Sequence, residues 1–373
     1  MNLPRRRILI AVTSAQSLRL IEGFPDYLSS TGWEVHVVCS GAVQPISTNW
    51  QLHNIPMHRE PAPRHDLLSL VRWIALLTRL RPDLVVAGTP KAGLLGMTAA
   101  WICRIPARVY MLRGLRLETE SGPKRSLLAA LERLSGWFST RIQAVSHSLA
   151  LEFVSLGLAP KRKVIVLGSG SSNGVHLTEN QSHSPRTDVF TIGFVGRVHP
   201  DKGILTLLKA YHLAFGSSAS ARLLVVGGEE PPGFLNQCLR LANISPERIT
   251  WVGPVSNPEH YISSMDILAL PTRREGFPNV VLEAAAHQVP TVASDVTGCR
   301  DAINDGTTGI LVPADDPTKL AEVFSALERN PTYVEQLGAA ARKRVEAEFQ
   351  RHAVWKATED FYTSQLKLKR KRL

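Results

Sequence analysis

The segment PTRREGFPNVVLEAAAHQVPTVAS, from Pro271 to Ser294, decides the fold. The apolar run Ile267–Ala269 before it reads as a short buried strand. Val280–His287 carries apolar residues at helical spacing, and Thr291–Ala293 is again short and apolar. Strand, helix and strand, with no polar face on either strand, is the pattern of parallel strands joined by a crossover helix. Between the first strand and the helix, Gly276, Phe277, Pro278 and Asn279 make a turn. That turn aims the first helical N–H groups at whatever lies beyond the strand end, a ready place for a sugar hydroxyl or a phosphate oxygen. Glu275 stands in the loop and Glu283 eight positions later on the helix. Taken alone, the two would be a loop charge and a solvated helix residue.

Working outward, the same alternation fills the chain. On the C-terminal side of the middle, strands are predicted at Thr191–Val195, Arg222–Val226, Ile249–Val252 and Gly309–Val312, with helices near Gly203–Phe215, Pro258–Met265, Thr318–Arg329 and Pro331–Phe349. On the N-terminal side they fall at Ile8–Thr13, Glu34–Ser40, Leu84–Gly88, Arg108–Leu112, Arg141–Val145 and Lys163–Leu167. Helical spacing marks Leu67–Leu80, which must stop at Arg81-Pro82, and Lys124–Phe138, which follows Gly122-Pro123. Ser171 to Thr187 turns to Ser, Asn, His and Pro and is the expected linker. The length of 373 residues is that of two domains. The reading is therefore α/β, with a first domain over 1–170, a linker over 171–187 and a second domain over 188–350. A C-terminal helix near 351–373 is expected to pack back on the first.

The four cysteines have no paired short spacing, so neither a zinc knuckle nor a disulfide framework is implied. The apolar runs after the N-terminal arginines and at Ala92–Cys103 are too short for a signal core or a membrane span. The net charge of +11 is uneven: residues 1–175 hold 21 Lys/Arg against 10 Asp/Glu, whereas 176–373 hold 22 of each. Five of the latter cations fall within the last seven positions. A basic first domain and tail suit an anionic membrane surface or a lipid-linked diphosphate. Nucleic acid is a weaker alternative, because the tail has no interleaved aromatics and no binding motif is present.

Ligands of open parallel sheets sit beyond the carboxyl ends of the strands. After Thr191–Val195 comes GR-x-x-x-x-KG, Gly196 to Gly203, in which Arg197 offers a planar fork and Lys202 a point charge to a departing diphosphate. Its pairing with E-GFP-N-x-x-LE-A, from Glu275, and then with VASDVTGCRDAINDGTTGILVPADD resembles family 4 of the retaining glycosyltransferases. The likeness covers nearly the whole chain. TPKAGLLGMTAAWICRIPARVYMLRGLRLETESGPKR and VLGSGSSNGV narrow it to bacterial enzymes that build capsule, O-antigen or other lipid-linked oligosaccharides.

The resemblance implies the GT-B fold, two Rossmann-like domains whose parallel sheets face each other across a cleft. It implies that Arg197 and Lys202 hold the donor diphosphate and that Glu275, with the amides of Gly276, Phe277 and Asn279 around Pro278, faces the donor sugar. Glu283 would bind the ribose hydroxyls, Gly196 would let backbone approach the phosphates, and Gly253 and Val255 would lie by the nucleobase. The partners implied are a nucleotide-sugar donor, a UDP-sugar of hexose or N-acetylhexosamine type, and a polyprenyl-diphosphate-linked glycan acceptor. The place implied is the inner face of the cytoplasmic membrane, with Leu94, Leu95, Met97 and Trp101 dipping in. No nucleic-acid partner is expected. No cofactor is expected either, and no metal: the chain lacks the Asp-x-Asp triplet with which a hard cation is commonly held.

Two places depart from the family. The first loop, Thr13 to Leu20, lacks adjacent glycines, leaving Ser14, Gln16 and Ser17 as acceptor-side donors or as a plain turn. After Arg108–Leu112 the chain has Arg113-Gly114 where members often carry a histidine. Arg113, Arg116, Lys124 and Arg125 are the expected clamp for an acceptor diphosphate, or else a solvated basic face. A UDP-sugar 2-epimerase shares the architecture and is the alternative enzyme.

Overall fold

The computed structural model describes residues 6–41, 47–58, 62–177, 189–216, 218 and 220–370, with side chains to Lys367. The chain divides into two compact units, Met1–Asn173 with His352–Leu373, and Gly174–Arg351. Most of the expected linker, 178–187, lies outside the described residues.

The first unit is built on β1 (Arg6–Ser14), β2 (Trp33–Ser40), β3 (Gln51–Asn54), β4 (Leu84–Gly88), β5 (Ala107–Leu112), β6 (Arg141–Ala144) and β7 (Val164–Val166). They form one parallel sheet in the order β3-β2-β1-β4-β5-β6-β7. The central strands are buried throughout, as β4 shows with all five residues inside, because helices cover both faces. The helices are α1 (Phe24–Ser30), α2 (Pro63–Leu80), α3 (Pro90–Ile102), α4 (Gly122–Phe138) and α5 (His147–Ser155). Strand order turns back at β1 and β4, whose carboxyl ends flank the switch point where ligands of such sheets bind.

The second unit repeats the plan with β8 (Phe190–Val195), β9 (Ala221–Val226), β10 (Ile249–Gly253), β11 (Ile267–Leu270), β12 (Thr291–Ser294) and β13 (Gly309–Val312). All pairings are parallel, in the order β10-β9-β8-β11-β12-β13, so here the switch lies between β8 and β11. Its helices are α6 (Ile204–Phe215), α7 (Phe234–Leu241), α8 (Glu259–Ile262), α9 (Asn279–Ala286), α10 (Cys299–Ala302), α11 (Pro317–Glu328) and α12 (Pro331–Glu348). One core packs β8, β9 and β11 under α6 and α11 through Phe194, Leu207, Tyr211 and Phe324.

The last helix, α13 (Arg351–Arg370), belongs to the first unit from His352 on. Trp355 Nε1 donates to Asn173 Oδ1 at 2.6 Å, and Glu359 accepts from the Tyr27 hydroxyl at 3.0 Å and the Trp33 indole at 3.1 Å. The rings of Phe24 and Trp355 lie 6.1 Å apart. Gly23, at φ +77°, leaves room for this helix: a Cβ there would come within 2.7 Å of the Trp355 ring.

Leu95 and Met97 correct an expectation. Both are buried on the inner side of α3, so neither reaches a membrane. Trp101 is exposed.

Candidate functional site

In the second unit the two motifs fall on the two sides of the switch point. β8 runs into Gly196, Arg197 and a 3-10 turn at Pro200–Lys202, and Gly203 then enters the left-handed region, at φ +67°, to start α6. Lys202 therefore closes a tight turn and Ile204 opens the helix, one residue after the expected start at Gly203. β11 runs into the Pro271–Pro278 loop and α9. The loops abut so closely that a Cβ at Gly203 would sit 1.8 Å from the Pro271 carbonyl oxygen.

That contact is reinforced by Asp201. Its carbonyl accepts from Arg273 N at 2.8 Å and from the Thr272 hydroxyl at 3.1 Å, and its carboxylate pairs with Arg274. Burial alone would raise the Asp201 carboxyl, but the Arg274 guanidinium together with His199 and Arg197 outweighs it and holds the group below its ordinary range. The outcome is that Lys202 Nζ and Glu275 Oε1, 73 residues apart, meet in an ion pair. Gly298, at φ +79°, lets the loop before α10 approach from the other side, its missing Cβ only 2.5 Å from the Gly276 carbonyl oxygen.

Arg197 projects from the end of β8 and pairs with Glu230 at 2.6 Å. Both side chains are substantially exposed, so the pair is weak and exchangeable. Next to it three strand ends carry glycine: Gly196 N donates to Val226 O at 2.9 Å, and Gly227 N to Gly253 O at 2.8 Å. A Cβ at Gly227 would meet Gly196 O at 1.8 Å, so backbone itself forms the floor there. Val255 packs its side chain on the small core beneath β9 and β11.

At the start of α9, the Asn279 Oδ1 is buried with no partner among the described residues. Phe277 lies against Phe349, ring centroids 5.5 Å apart, so its ring anchors the loop and only its backbone faces outward from the core. Glu283 lies half-buried on α9.

The first unit's switch point is arranged differently. Thr13 N donates to Thr89 Oγ1 at 3.0 Å, and the two hydroxyls meet at 2.6 Å. Thr89 holds φ +72°, a costly conformation for a β-branched residue and one concentrated at ligand sites. Ser14 and Ser17 share a hydroxyl contact at 3.1 Å and Gln16 is exposed, on a 3-10 helix over Ala15–Ile21 rather than a plain turn.

The structure does not assemble the expected four-cation clamp. Arg113 turns inward from the end of β5, donating to Leu20 O at 3.4 Å, with its Nε buried and without a partner among the described residues. Burial lowers this guanidinium to about 10, and a cavity of about 10 Å³, room for one water, lies between it, Met111 and Tyr362. Arg116 sits in a 3-10 turn, Lys124 pairs with Glu120 at 2.6 Å, and Arg125 is exposed on the first turn of α4. The physical reason is Gly88: its missing Cβ would lie 2.9 Å from the Arg113 Nε, so the side chain folds over the neighbouring strand end.

Residues 189–330 match the family model described as glycosyl transferases group 1, and residues 19–170 match the glycosyl transferase 4-like domain. A Staphylococcus aureus protein named capsular polysaccharide biosynthesis glycosyltransferase CapM is 35% identical over 97% of this chain and 98% of its own length. This chain belongs to glycosyltransferase family 4. Another relative of this transferase, 26% identical over 68% of the chain and 69% of its own length, is a Campylobacter jejuni N,N'-diacetylbacillosaminyl-diphospho-undecaprenol alpha-1,3-N-acetylgalactosaminyltransferase. The transferase has the GT-B fold. Sucrose-phosphate synthase from Thermosynechococcus elongatus superposes with a TM-score of 0.81 at 19% identity, covering 98% of this chain and 100% of that one. Anabaena Alr3699/HepE, solved with UDP-glucose, gives 0.77 at 17% identity, covering 96% and 99%.

Three residues that shape these sites carried no sequence signal. Glu230 lies in a loop 33 residues from its Arg197 partner, Asp201 reads as a turn residue, and Thr89 shows its conformation only in coordinates.

Proposed function

We propose that this glycosyltransferase moves a hexose or N-acetylhexosamine, with retention at the anomeric carbon, from a UDP-sugar to a polyprenyl-diphosphate-linked glycan in cell-surface polysaccharide synthesis. The observation that carries the reading is the meeting of Lys202 and Glu275 beside Arg197 at the β8–β11 switch point. A diphosphate leaving group needs fixed positive charge that does not reorganise as the bond breaks, and two cations held by carboxylates are already in place. Donor phosphate competes with Glu230 for Arg197 and takes up the Lys202 ammonium, which leaves Glu275 beside the sugar. Glu283 takes the ribose hydroxyls, and the half-buried ends of β9 and β10 at Gly227, Gly253 and Val255 take the base. Transfer proceeds without a metal, the two cations and the amides at the start of α9 serving in its place. The departing diphosphate assists removal of the acceptor proton on the same face.

The acceptor class draws support from the undecaprenol diphosphate in the name of the Campylobacter relative, and the pathway from that of the capsular relative. The enzyme then works at the inner face of the cytoplasmic membrane, bound peripherally; among the described residues no helix is long and apolar enough to cross it. The test is incubation of the enzyme with a panel of UDP-hexoses and UDP-N-acetylhexosamines, with and without a polyprenyl-diphosphate glycan. Transfer only with acceptor, keeping the donor's anomeric configuration, is expected. Conversion of a UDP-sugar without acceptor would overturn the reading in favour of the 2-epimerase.

A further inference from the structure

Twelve large apolar side chains are exposed among the described residues, and eight of them fall on three consecutive helices of the first unit. Leu67, Leu68 and Val71 lie on α2, and Trp101 and Ile102 at the end of α3. Leu127, Leu134 and Trp137 follow on α4. α3 packs against both α2 and α4, so the three form one layer over the sheet. On α4 the positions 127, 130, 134 and 137 share one side of a 3.6-residue helix, and that side faces away from the sheet, whereas Glu132, Ser135 and Gly136 face inward. Trp137 is 64% exposed and touches Trp101, ring centroids 5.8 Å apart. Single exposed leucines need no explanation, but eight large apolar side chains on one helical layer, two of them a touching indole pair, do.

The charge on this layer has one sign. Arg64, Arg72 and Arg79 on α2 and Lys124, Arg125 and Arg133 on α4 are exposed. The only acids on the three helices are Asp66 and Glu132. Asp66 is neutralised by Lys91 at 2.6 Å, and Glu132 is buried, accepting from the Tyr110 hydroxyl at 2.8 Å. A second copy of this chain would set cation against cation across such a face, whereas an anionic headgroup layer satisfies the arginines while the leucines and indoles enter the acyl boundary.

We propose that the outer face of the α2–α3–α4 layer is the surface by which this protein lies on an anionic lipid bilayer. The assignment rests on the lipid-linked acceptor reading and gives it a geometry. In a parallel sheet the helices run back from the strand carboxyl ends, so Arg64, Lys124 and Arg125 stand at the ligand edge. Trp101 and Trp137 stand at the opposite one, about 20 Å away along α4. A helix lying flat on the headgroups keeps the ligand edge within reach of a lipid-borne diphosphate.

The experiment is co-sedimentation of the full chain with phosphatidylcholine vesicles with and without phosphatidylglycerol, paired with the thermal shift produced by UDP. Binding only to the phosphatidylglycerol vesicles is expected. Arg64→Gln, Arg72→Gln and Arg79→Gln should each weaken it about fivefold at low salt. The Leu127→Ser, Leu134→Ser and Trp137→Ser triple variant should weaken it at least roughly tenfold. Leu213→Ser with Leu241→Ser, exposed apolar positions of the second unit, should leave it unchanged. The ligand-free thermal midpoint and the near-ultraviolet circular dichroism of all the variants should match wild type, which shows that both units are folded, and the UDP shift should be the same in all of them. Wild-type protein that ignores anionic vesicles, or face variants that bind like wild type, overturn the assignment. So does a lipid-free dimer that Trp137→Ser dissociates, which would give the face to a second copy. A missing UDP shift in wild type would instead sink the donor reading while leaving the vesicle result standing.

Discussion

The two sheets have the same switch-point topology, yet they hold charge at it in opposite ways. At the β8–β11 ends every cation of the motifs is met by a carboxylate: Arg197 by Glu230, Lys202 by Glu275, Arg274 by Asp201 and Arg273 by Asp315. At the β1–β4 ends there are two threonine hydroxyls and an inward-turned Arg113. A site built to receive a dianion must keep its cations in position without wasting them, and exchangeable carboxylate partners do both. If the first unit presents the acceptor hydroxyl as proposed, that end needs rigidity rather than charge, and Thr89 holds a strained backbone there.

The sharpest way to break this contrast is Lys202→Ala, which should reduce turnover on the order of 100-fold or more in a steady-state transfer assay. Turnover within threefold of wild type would remove the charged site from the mechanism. Next is Gly203→Ala. With the left-handed backbone and the Pro271 carbonyl both in the way, it should cost at least about 2 kcal/mol, read as a lower thermal midpoint.

A comparable effect in the first unit is tied to pH. Burial raises the Glu132 carboxyl to about 7, with the Tyr110 hydroxyl opposing only part of the shift. Because the folded value lies above the unfolded one, this group's contribution is fully present below about pH 4 and is lost as pH rises towards 7. Glu132→Gln should therefore flatten the fall in thermal midpoint between pH 5 and pH 8, recovering on the order of 2 kcal/mol at the alkaline end. An unchanged slope would refute it. The smallest effect belongs to Glu230→Gln. Freed of its competitor, Arg197 should bind donor up to about fivefold more tightly, seen as a lower KM with kcat little changed. A higher KM would mean that Glu230 orients Arg197 instead.

The fold was legible because buried parallel strands are short continuous apolar runs, and β8 to β13 each stand at an expected place. β3 escaped because an edge strand reading Gln-Leu-His-Asn, with half of it exposed, carries no such run. α8 is shorter than its pattern, Glu259–Ile262, because only Ile262 of the helix is buried. In the second unit the motif residues meet because their spacing is tied to strand ends, which sequence locates well. In the first unit Arg113 was misplaced because its direction depends on a glycine at the end of the preceding strand, Gly88. A side chain's choice between solvent and interior is settled by such pairings, which no local pattern records.

The placement of α13 has a consequence for biosynthesis. Residues 174–351 are contiguous and can close their core as soon as they have left the ribosome. The first unit, although made earlier, waits for Trp355 and Tyr362, since both line the interior beside Phe24 and Arg113. The half that emerges first is thus the half that finishes last, and a released chain truncated before residue 355 would carry a complete second unit and an open first one.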